Sequence, residues 1–240
     1  MSERTHDRYG DYAETHADPR FTDWLRERAE PGWTEATTHR FVREVGEGTV
    51  EDSVFRRYLL QDYAFVEALV GTFGHAVGEA PTMAAKARLV SFLGVLTDDE
   101  DDYFERAFDA VNVSESASTD PNTTATTRAF DDLLYRVRSE GGYAETLAVL
   151  TAAEWVLAWA SAIEGRPSQF YLAEWIDLHD NDGFRSFVAW LRDELDREGV
   201  AASPHRRRRI DWLFRRTVEL EVAFFESAYD PDGARLGGEA

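Results

Sequence analysis

The sequence of 240 residues contains no cysteine, one lysine (Lys86) and two methionines. Without cysteine the chain forms no disulfides, zinc–thiolate sites or iron–sulfur clusters, and it has no thiol nucleophile. No stretch reaches the roughly 18 apolar residues of a membrane span, and the polar N-terminus is unlike a secretory signal. These absences predict a cytoplasmic protein that does not interact with membranes and uses no sulfur chemistry.

Basic residues are also scarce, since 26 Lys and Arg face 46 Asp and Glu, and the formal net charge is −20. Nucleic-acid binding is disfavoured, because a phosphate backbone needs Lys and Arg to displace its counterions. An acid-rich surface with almost no lysine suits a salt-rich cytoplasm, where screening shortens the range of charge repulsion. The charge therefore predicts a halophilic source and no nucleic-acid partner.

Apolar residues are plentiful, at 43% hydrophobic and 13% aromatic, and they recur at helical spacing. Phe55, Tyr58, Phe65 and Leu69 follow one another at intervals of three, four and seven residues, which places them on one helix face. No stretch alternates with the period of two that is typical of strands. The pattern predicts an all-α bundle of about eight to ten helices.

The same pattern divides the chain into one domain and two tails. Residues 1–18 are polar and without helical periodicity, which predicts a loose N-terminal tail, and residues 231–240 are predicted to fray. Residues 19–230 form the single predicted domain. Within it, the Ser/Thr-rich segment 113–127 is predicted to be a long surface loop.

Three acidic residues interrupt the apolar face of three different helices. Asp62 lies four residues after Tyr58 and three before Phe65, and Glu154 and Glu221 occupy equivalent places in their own helices. If these faces are buried, burial raises the carboxyl pKa values toward the range useful for proton transfer. The alternative is that each acid lies at the edge of its apolar face and reaches solvent or an arginine.

Aromatic residues concentrate in two regions near the C-terminal half. They would suit the walls of a pocket for a flat heteroaromatic ligand, or they are ordinary core residues. The residues concerned are Trp155, Trp159, Phe170, Tyr171, Trp175, Phe224, Phe225 and Tyr229.

Other site chemistries have no support in the sequence. No two histidines form an i, i+4 metal pair, and Glu-x-x-His repeats, HExxH, GxGxxG, GxxxxGK[ST] and GxSxG are all absent. The arginine run 206–209 follows Pro204 and is predicted to lie on a solvated helix face rather than to bind phosphate. We therefore predict neither a metal nor an organic cofactor.

One segment carries a family resemblance. Residues 39–65, HRFVREVGEGTVEDSVFRRYLLQDYAF, resemble the signature region of the TenA (thiaminase II) family, which has the haem-oxygenase-like all-α fold. The similarity continues through LTAAEW at 150–155, FYLAEWIDLH at 170–179 and ELEVAFFESAY at 219–229. In all it covers roughly residues 20–230.

The resemblance implies salvage of the pyrimidine half of thiamin. In the family, the acid of the QDY motif holds the ring nitrogen and exocyclic amine of the pyrimidine, and here it is Asp62. The aromatic residue three positions later is Phe65. The pyrimidine-contacting tyrosine is assigned to Tyr171, one residue off the usual Y-x-x-W spacing, and Phe130 replaces a usual tyrosine.

The resemblance also assigns the catalytic residues. The family's catalytic glutamate is Glu221, and Glu154 stands at or next to the place of the missing cysteine nucleophile. Trp155, Trp159 and Phe225 are predicted to exclude water from the pocket. The chain is thus similar to the cysteine-less, glutamate-bearing branch, which is associated with aminopyrimidine hydrolysis. Family members are commonly homotetramers, and the same is expected here.

These features predict a hydrolase that converts 4-amino-5-aminomethyl-2-methylpyrimidine and water to 4-amino-5-hydroxymethyl-2-methylpyrimidine and ammonia. Two carboxyl groups with different pKa values would divide the proton transfers. Two alternatives stay open, namely deformylation of an N-formyl aminopyrimidine in the same pocket, and a non-catalytic ligand-binding or regulatory role. A metal-dependent oxidase is disfavoured by the histidine spacing.

Overall fold

The computed structural model describes residues 8–230, with the side chain of residue 99 left out. Within that range the chain is helical and contains no strand. The helices are α1 (Tyr9–Thr15), α2 (Phe21–Arg28), α3 (Gly32–Thr37), α4 (Arg40–Glu47), α5 (Asp52–Glu79), α6 (Met83–Gly94), α7 (Glu100–Ala110), α8 (Glu115–Thr119), α9 (Ala125–Glu140), α10 (Tyr143–Leu157), α11 (Phe170–His179), α12 (Asp182–Ala201) and α13 (Pro204–Tyr229). The prediction of an all-α bundle is confirmed, with more and shorter helices than expected.

Side-chain caps set where several of these helices begin. Thr124 accepts a hydrogen bond from the backbone N–H of Thr127 at the start of α9, and Asn181 accepts one from Phe184 at the start of α12. Ser203 caps α13, and Pro204 follows at the first helical position, where its missing N–H costs nothing. These local capping signals account for where α9, α12 and α13 begin.

Helix α10 lies at the centre of the bundle. It packs against α5, α12 and α13, and all but two of its residues are buried. A helix that is apolar on every side must be enclosed by other helices. Any polar side chain on α10 is therefore held inside the protein.

Two short helical turns of other types adjoin the α-helices near the site. A π-helical turn, Val95–Asp99, joins α6 to α7, and a 3₁₀ turn, Ala158–Ala162, follows α10. π-helical turns are rare and occur frequently at functional sites. None of the described helices is long and apolar enough to cross a membrane.

The prediction of a loose tail over residues 1–18 is wrong for its second half. Residues 1–7 lie outside the described range, but Tyr9–Thr15 form α1, and Tyr9 and Tyr12 are buried. The Tyr9 hydroxyl donates to the carbonyl oxygen of Pro19 at 2.9 Å. Two tyrosines three residues apart are enough to dock one helical turn, yet too few to produce a visible periodicity. The predicted C-terminal tail, residues 231–240, lies outside the described residues.

The segment 113–127 is also more ordered than predicted. It contains α8 and the first turn of α9, and Gln61 of α5 anchors its middle. The Gln61 amide donates to the carbonyl of Asn122 at 3.2 Å and accepts from the backbone N–H of Thr124 at 2.8 Å. Among the Ser and Thr residues that suggested a loop, Thr124 caps α9, and Ser118 and Thr119 donate to the carbonyl oxygen of Glu115 within α8.

Candidate active site

Asp62 lies on α5 with its side chain against α11. The side chains of Trp175, from α11, and Tyr58, one turn earlier on α5, hydrogen-bond to it. Burial raises the pKa of Asp62 to about 7, and these two hydrogen bonds oppose the rise. Near neutral pH this carboxyl group exists both with and without its proton.

Glu154 and Glu221 approach the same point from α10 and α13. Their exposed fractions are 4% and 6%. Burial, together with the negative charge of Asp62, raises the pKa of Glu154 to about 8. Burial and the charges of Asp62 and Glu154 raise the pKa of Glu221 well above its usual value. The three acids predicted to point inward are therefore neighbours, and each holds its proton more tightly than a free carboxyl group.

A fourth carboxyl group, Glu100, belongs to this cluster and was missed in the sequence. It is the first residue of α7, directly after the π-helical turn. Burial and the charges of Asp62 and Glu154 raise its pKa well above the usual value. Glu100 sits in an acidic run, DDEDD at 98–102, that reads as a solvated surface. The available signal was its spacing of three and four residues from Tyr103 and Phe104, which are both buried.

Four acids form what we call the carboxylate cluster, namely Asp62, Glu100, Glu154 and Glu221. None of them has a basic partner among the described residues. No arginine, lysine or histidine within residues 8–230 forms an ion pair with any of the four, and none appears among the charges that act on them. Across the same residues, no three His, Asp or Glu side chains are grouped so as to hold a metal ion. The cluster is thus suited to holding protons or to receiving a cationic or amine-bearing ligand.

Three members of the cluster line one small cavity of about 40 Å³. Asp62, Glu100 and Glu154 share it with apolar and aromatic side chains and with His179. Burial lowers the pKa of His179 to about 4, and its Nδ1 lies 2.8 Å from the carbonyl oxygen of Trp175, so this imidazole is neutral. Ligand pockets typically measure about 300–1,000 Å³. A ring-sized ligand therefore has to displace part of the wall.

Aromatic rings surround the cluster on the α9 and α13 side. Phe65 lines the cavity and meets Phe130 edge-on at 4.7 Å, and Phe224 lies 6.0 Å from Phe65. Phe225 stacks near Tyr58 at 6.2 Å between ring centroids. The predicted site residues Phe65, Phe130 and Phe225 are therefore brought close to Asp62 or its partner Tyr58.

Trp159 is held next to the cluster by Trp175. The two indoles stack at 5.4 Å with an angle of 21° between their planes. The Trp159 Nε1 donor is buried and finds no acceptor within the described part of the chain. Because a buried N–H without a partner is costly, this donor is a candidate contact for a bound ligand.

Two predicted site residues lie elsewhere. The Tyr171 hydroxyl donates to Asp52 at 2.7 Å, at the start of α5, and the ten residues to Asp62 span about 15 Å of helix. Trp155 faces away from Glu154 and packs on Trp33 at 4.7 Å between ring centroids. Neither side chain lines the cavity, because neighbouring helix positions point in directions about 100° apart.

Besides Tyr58, a second tyrosine approaches the cluster, namely Tyr103 of α7. The charges of Asp62 and Glu100 add to burial in raising its pKa well above its usual value. Its hydroxyl donates to the backbone carbonyl of Tyr171 at 2.9 Å. Tyr171 thus supports the site through its backbone and not through its own hydroxyl group.

A larger groove of about 790 Å³ lies outside the π-helical turn and shares two wall residues, Val66 and Leu96, with the inner cavity. Among the described residues, no basic side chain lines the groove, whereas five acids do: Glu67, Asp101, Glu105, Asp109 and Glu115. The thin wall between groove and cavity is therefore formed in part by the π-helical turn.

Comparison with known proteins identifies the family. The family model described as TENA/THI-4/PQQC matches residues 26–231, which is most of the chain. The chain belongs to the TENA/THI-4/PQQC family. A curated relative from Halalkalibacterium halodurans, named aminopyrimidine aminohydrolase, is 27% identical over 218 residues, covering 88% of this chain and 96% of the relative.

Solved structures agree on the fold of this TENA/THI-4/PQQC member. A protein from Silicibacter sp. TM1040, described as a TenA family transcription regulator, superimposes with a TM-score of 0.80 at 23% identity, covering 88% of this chain and 97% of that one. Haem oxygenase-1 of the cyanobacterium Synechocystis sp. PCC6803 gives a TM-score of 0.56 at 13% identity, covering 87% and 91%. The predictions of a TenA-like family and a haem-oxygenase-like fold are both confirmed.

Proposed function

We propose that this protein is an aminopyrimidine aminohydrolase of thiamin salvage. It would convert 4-amino-5-aminomethyl-2-methylpyrimidine and water to the 5-hydroxymethyl compound and ammonia. The observation that carries the proposal is the carboxylate cluster, whose four side chains are buried or half-buried and have no basic partner among residues 8–230. The name of the relative from H. halodurans supports the same reaction.

Asp62 is the proposed anchor of the substrate. An aminopyrimidine presents a ring nitrogen beside an exocyclic amino group, and a carboxyl group pairs with that edge through two parallel hydrogen bonds. Tyr58 and Trp175 orient the Asp62 side chain for this contact. Phe65, backed by Phe130, supplies an apolar wall for the flat ring.

The chemical step breaks the bond between the methylene carbon and the amine nitrogen and forms a bond from that carbon to a water oxygen. Glu221, which holds its proton more tightly than a free carboxyl group, supplies or keeps the proton on the departing nitrogen. Glu154 has a pKa of about 8, so a minority of molecules carry it ionised near neutral pH, and in this form it accepts a hydrogen bond from the attacking water and takes up the released proton. One water is consumed, one ammonia leaves, and proton exchange between Glu154 and Glu221 resets the site.

The test is ammonia release from 4-amino-5-aminomethyl-2-methylpyrimidine by the wild-type chain and by Glu221→Gln. We expect the substitution to lower kcat at least about 100-fold, the usual scale for a general acid–base group. Glu219→Gln is the matched control, because Glu219 is exposed on the same helix, and it should keep wild-type turnover. No ammonia from the wild type, or near-normal turnover by Glu221→Gln, would contradict the proposal.

The same experiment separates the alternatives. Formate released from the N-formyl analogue, without ammonia from the amine, would indicate the deformylase. Tight binding of the pyrimidine without turnover of either compound would indicate a ligand-binding protein.

We also propose a homotetramer that works in the cytoplasm of a halophilic cell. The acid excess supports the salt-rich setting, and several exposed large apolar side chains support an interface between copies. The most exposed are Met83, Tyr135, Val90, Val200, Trp212 and Phe170. The mass in solution, measured by light scattering at low and high salt, tests both points.

A further inference from the structure

Glu100 occupies a special place in the backbone. Its N–H donates to the carbonyl of Val95, so it closes the π-helical turn from which α7 continues. Leu96, one helical turn earlier, lines the same cavity as Glu100. The π-helical turn therefore brings an acidic side chain into a cavity that the turn also lines with the apolar residues Val95 and Leu96.

Glu100 differs from Glu154 and Glu221 in how it meets the cavity. Those two are almost fully covered by protein, whereas Glu100 and Asp62 keep part of their surface accessible. No hydrogen bond to the Glu100 carboxyl occurs within residues 8–230, while Asp62 has Tyr58 and Trp175. A carboxyl group that faces a cavity with its hydrogen-bonding capacity unused is arranged to meet a ligand.

Glu100 and Asp62 line the same cavity but reach it from different helices, Glu100 from α7 and Asp62 from α5. The cavity measures only about 40 Å³, so a ring that is anchored on Asp62 also lies against Glu100. A ring held by one edge on Asp62 turns its opposite edge toward the rest of the cavity wall, which includes Glu100.

That opposite side of the ring carries an acceptor. A pyrimidine has two ring nitrogens, and the edge held by Asp62 uses only one of them. The second lies across the methyl-bearing carbon, opposite the ring carbon that carries the exocyclic amino group. A hydrogen-bond acceptor buried without a donor costs roughly 1–3 kcal/mol, so this nitrogen needs a partner in the closed site.

We propose that Glu100 is a further substrate-contacting residue, whose protonated carboxyl group donates a hydrogen bond to the pyrimidine ring nitrogen that Asp62 leaves free. The inference rests on the proposed function and adds a fourth acid to its site. Glu100 determines specificity for a ring with two nitrogens, and it takes no part in breaking the carbon–nitrogen bond.

The test compares Glu100→Gln, Glu100→Leu and the control Asp102→Asn, which alters an exposed acid two residues away. KM and kcat are measured by ammonia release, and the Kd of the hydroxymethylpyrimidine product is measured by calorimetry. The amide N–H in Glu100→Gln can still donate, so the KM and Kd of this variant should stay within about threefold of wild type. The side chain in Glu100→Leu cannot donate, so its KM and Kd should rise at least about tenfold while kcat changes little.

Three results would overturn the inference. They are an unchanged KM and Kd for Glu100→Leu, a loss of affinity in Glu100→Gln as large as in Glu100→Leu, and a loss of kcat instead of affinity in either variant. If Glu100→Leu fails to fold in a thermal-unfolding check, Glu100→Ala replaces it in the same comparison. The proposed function fails separately, since it is lost when the wild type releases no ammonia, whatever the Glu100 variants bind.

Discussion

Glu145 and Glu154 are both buried glutamates on α10, nine residues apart, and their environments are opposite. Arg206 of α13 donates from Nε to one carboxylate oxygen of Glu145 at 2.9 Å and from Nη2 to the other at 2.8 Å. Burial alone would raise the pKa of Glu145, but these hydrogen bonds outweigh it and hold the pKa below its usual value. The pKa of Glu154 is raised to about 8, because burial and Asp62 both disfavour its charge.

Helix α13 repeats the contrast. Asp211 is buried between Arg28 and Arg215, at 3.0 and 3.2 Å, whereas Glu221 ten residues later has no basic partner within the described residues. Near Glu145 and Asp211 the buried acids tie helices together. Near Glu154 and Glu221 they keep protons available. The presence of an arginine partner, more than burial, distinguishes a structural acid from a candidate catalytic one.

The largest expected effect that sharpens this comparison is on substrate binding. Asp62→Ala removes both oxygens that hold the aminopyrimidine edge, so the substrate loses two hydrogen bonds. We expect KM to rise about 10- to 100-fold, with a smaller change in kcat. Steady-state ammonia release measures both, and Glu67→Gln, an exposed acid on the same helix, is the control. An unchanged KM would contradict the anchoring role.

The next largest effect is on the stability contributed by the Glu145–Arg206 ion pair at the start of α10. Glu145→Gln leaves Arg206 without its charge partner, and we expect a loss of about 2 kcal/mol in the free energy of unfolding at pH 7, reduced from the fully buried case because Arg206 is 41% exposed. Urea denaturation measures this loss. The control is Glu140→Gln at the end of the preceding helix, α9, which removes an exposed pair with Arg209 and should cost about 0.5 kcal/mol or less. Turnover should be unchanged. A free energy of unfolding equal to that of wild type would contradict a stabilising role for the Glu145–Arg206 pair.

The smallest expected effect is a gain in the free energy of unfolding, and it depends on pH. As pH rises from about 4.5 to about 8, an unfolded chain releases the Glu154 proton while the folded chain keeps it, so this group lowers stability across that window. Glu154→Gln cannot ionise and should gain about 1 kcal/mol over wild type at about pH 5.5, roughly one unit above the pKa of the unfolded chain, and nothing at about pH 4. The cost of Glu145→Gln should instead shrink on acidification, because the lowered pKa of Glu145 gives stability that is lost at low pH. Equal gains at both pH values would contradict the buried, protonated state of Glu154.

Helical spacing alone was enough to point Asp62, Glu154 and Glu221 inward, because side-chain direction in a helix follows from position along the chain. The same reasoning missed Glu100, since its acidic neighbours conceal the two buried aromatics that follow it. The family resemblance assigned Tyr171 to the pocket, and Trp155 was expected to exclude water there, but Tyr171 bonds to Asp52 and Trp155 packs on Trp33. Belonging to the right segment does not settle which way one side chain points.

The sequence by itself determined an all-α bundle with acids on its inner faces and no cysteine among them. It could not determine which of those acids stay unpaired. Arg206 is 61 residues from Glu145, and Arg28 is 183 residues from Asp211. Such partners meet only after α2, α10 and α13 have packed. The local pattern sets burial, while long-range packing decides whether a buried carboxyl group is neutralised by an arginine or left to hold a proton.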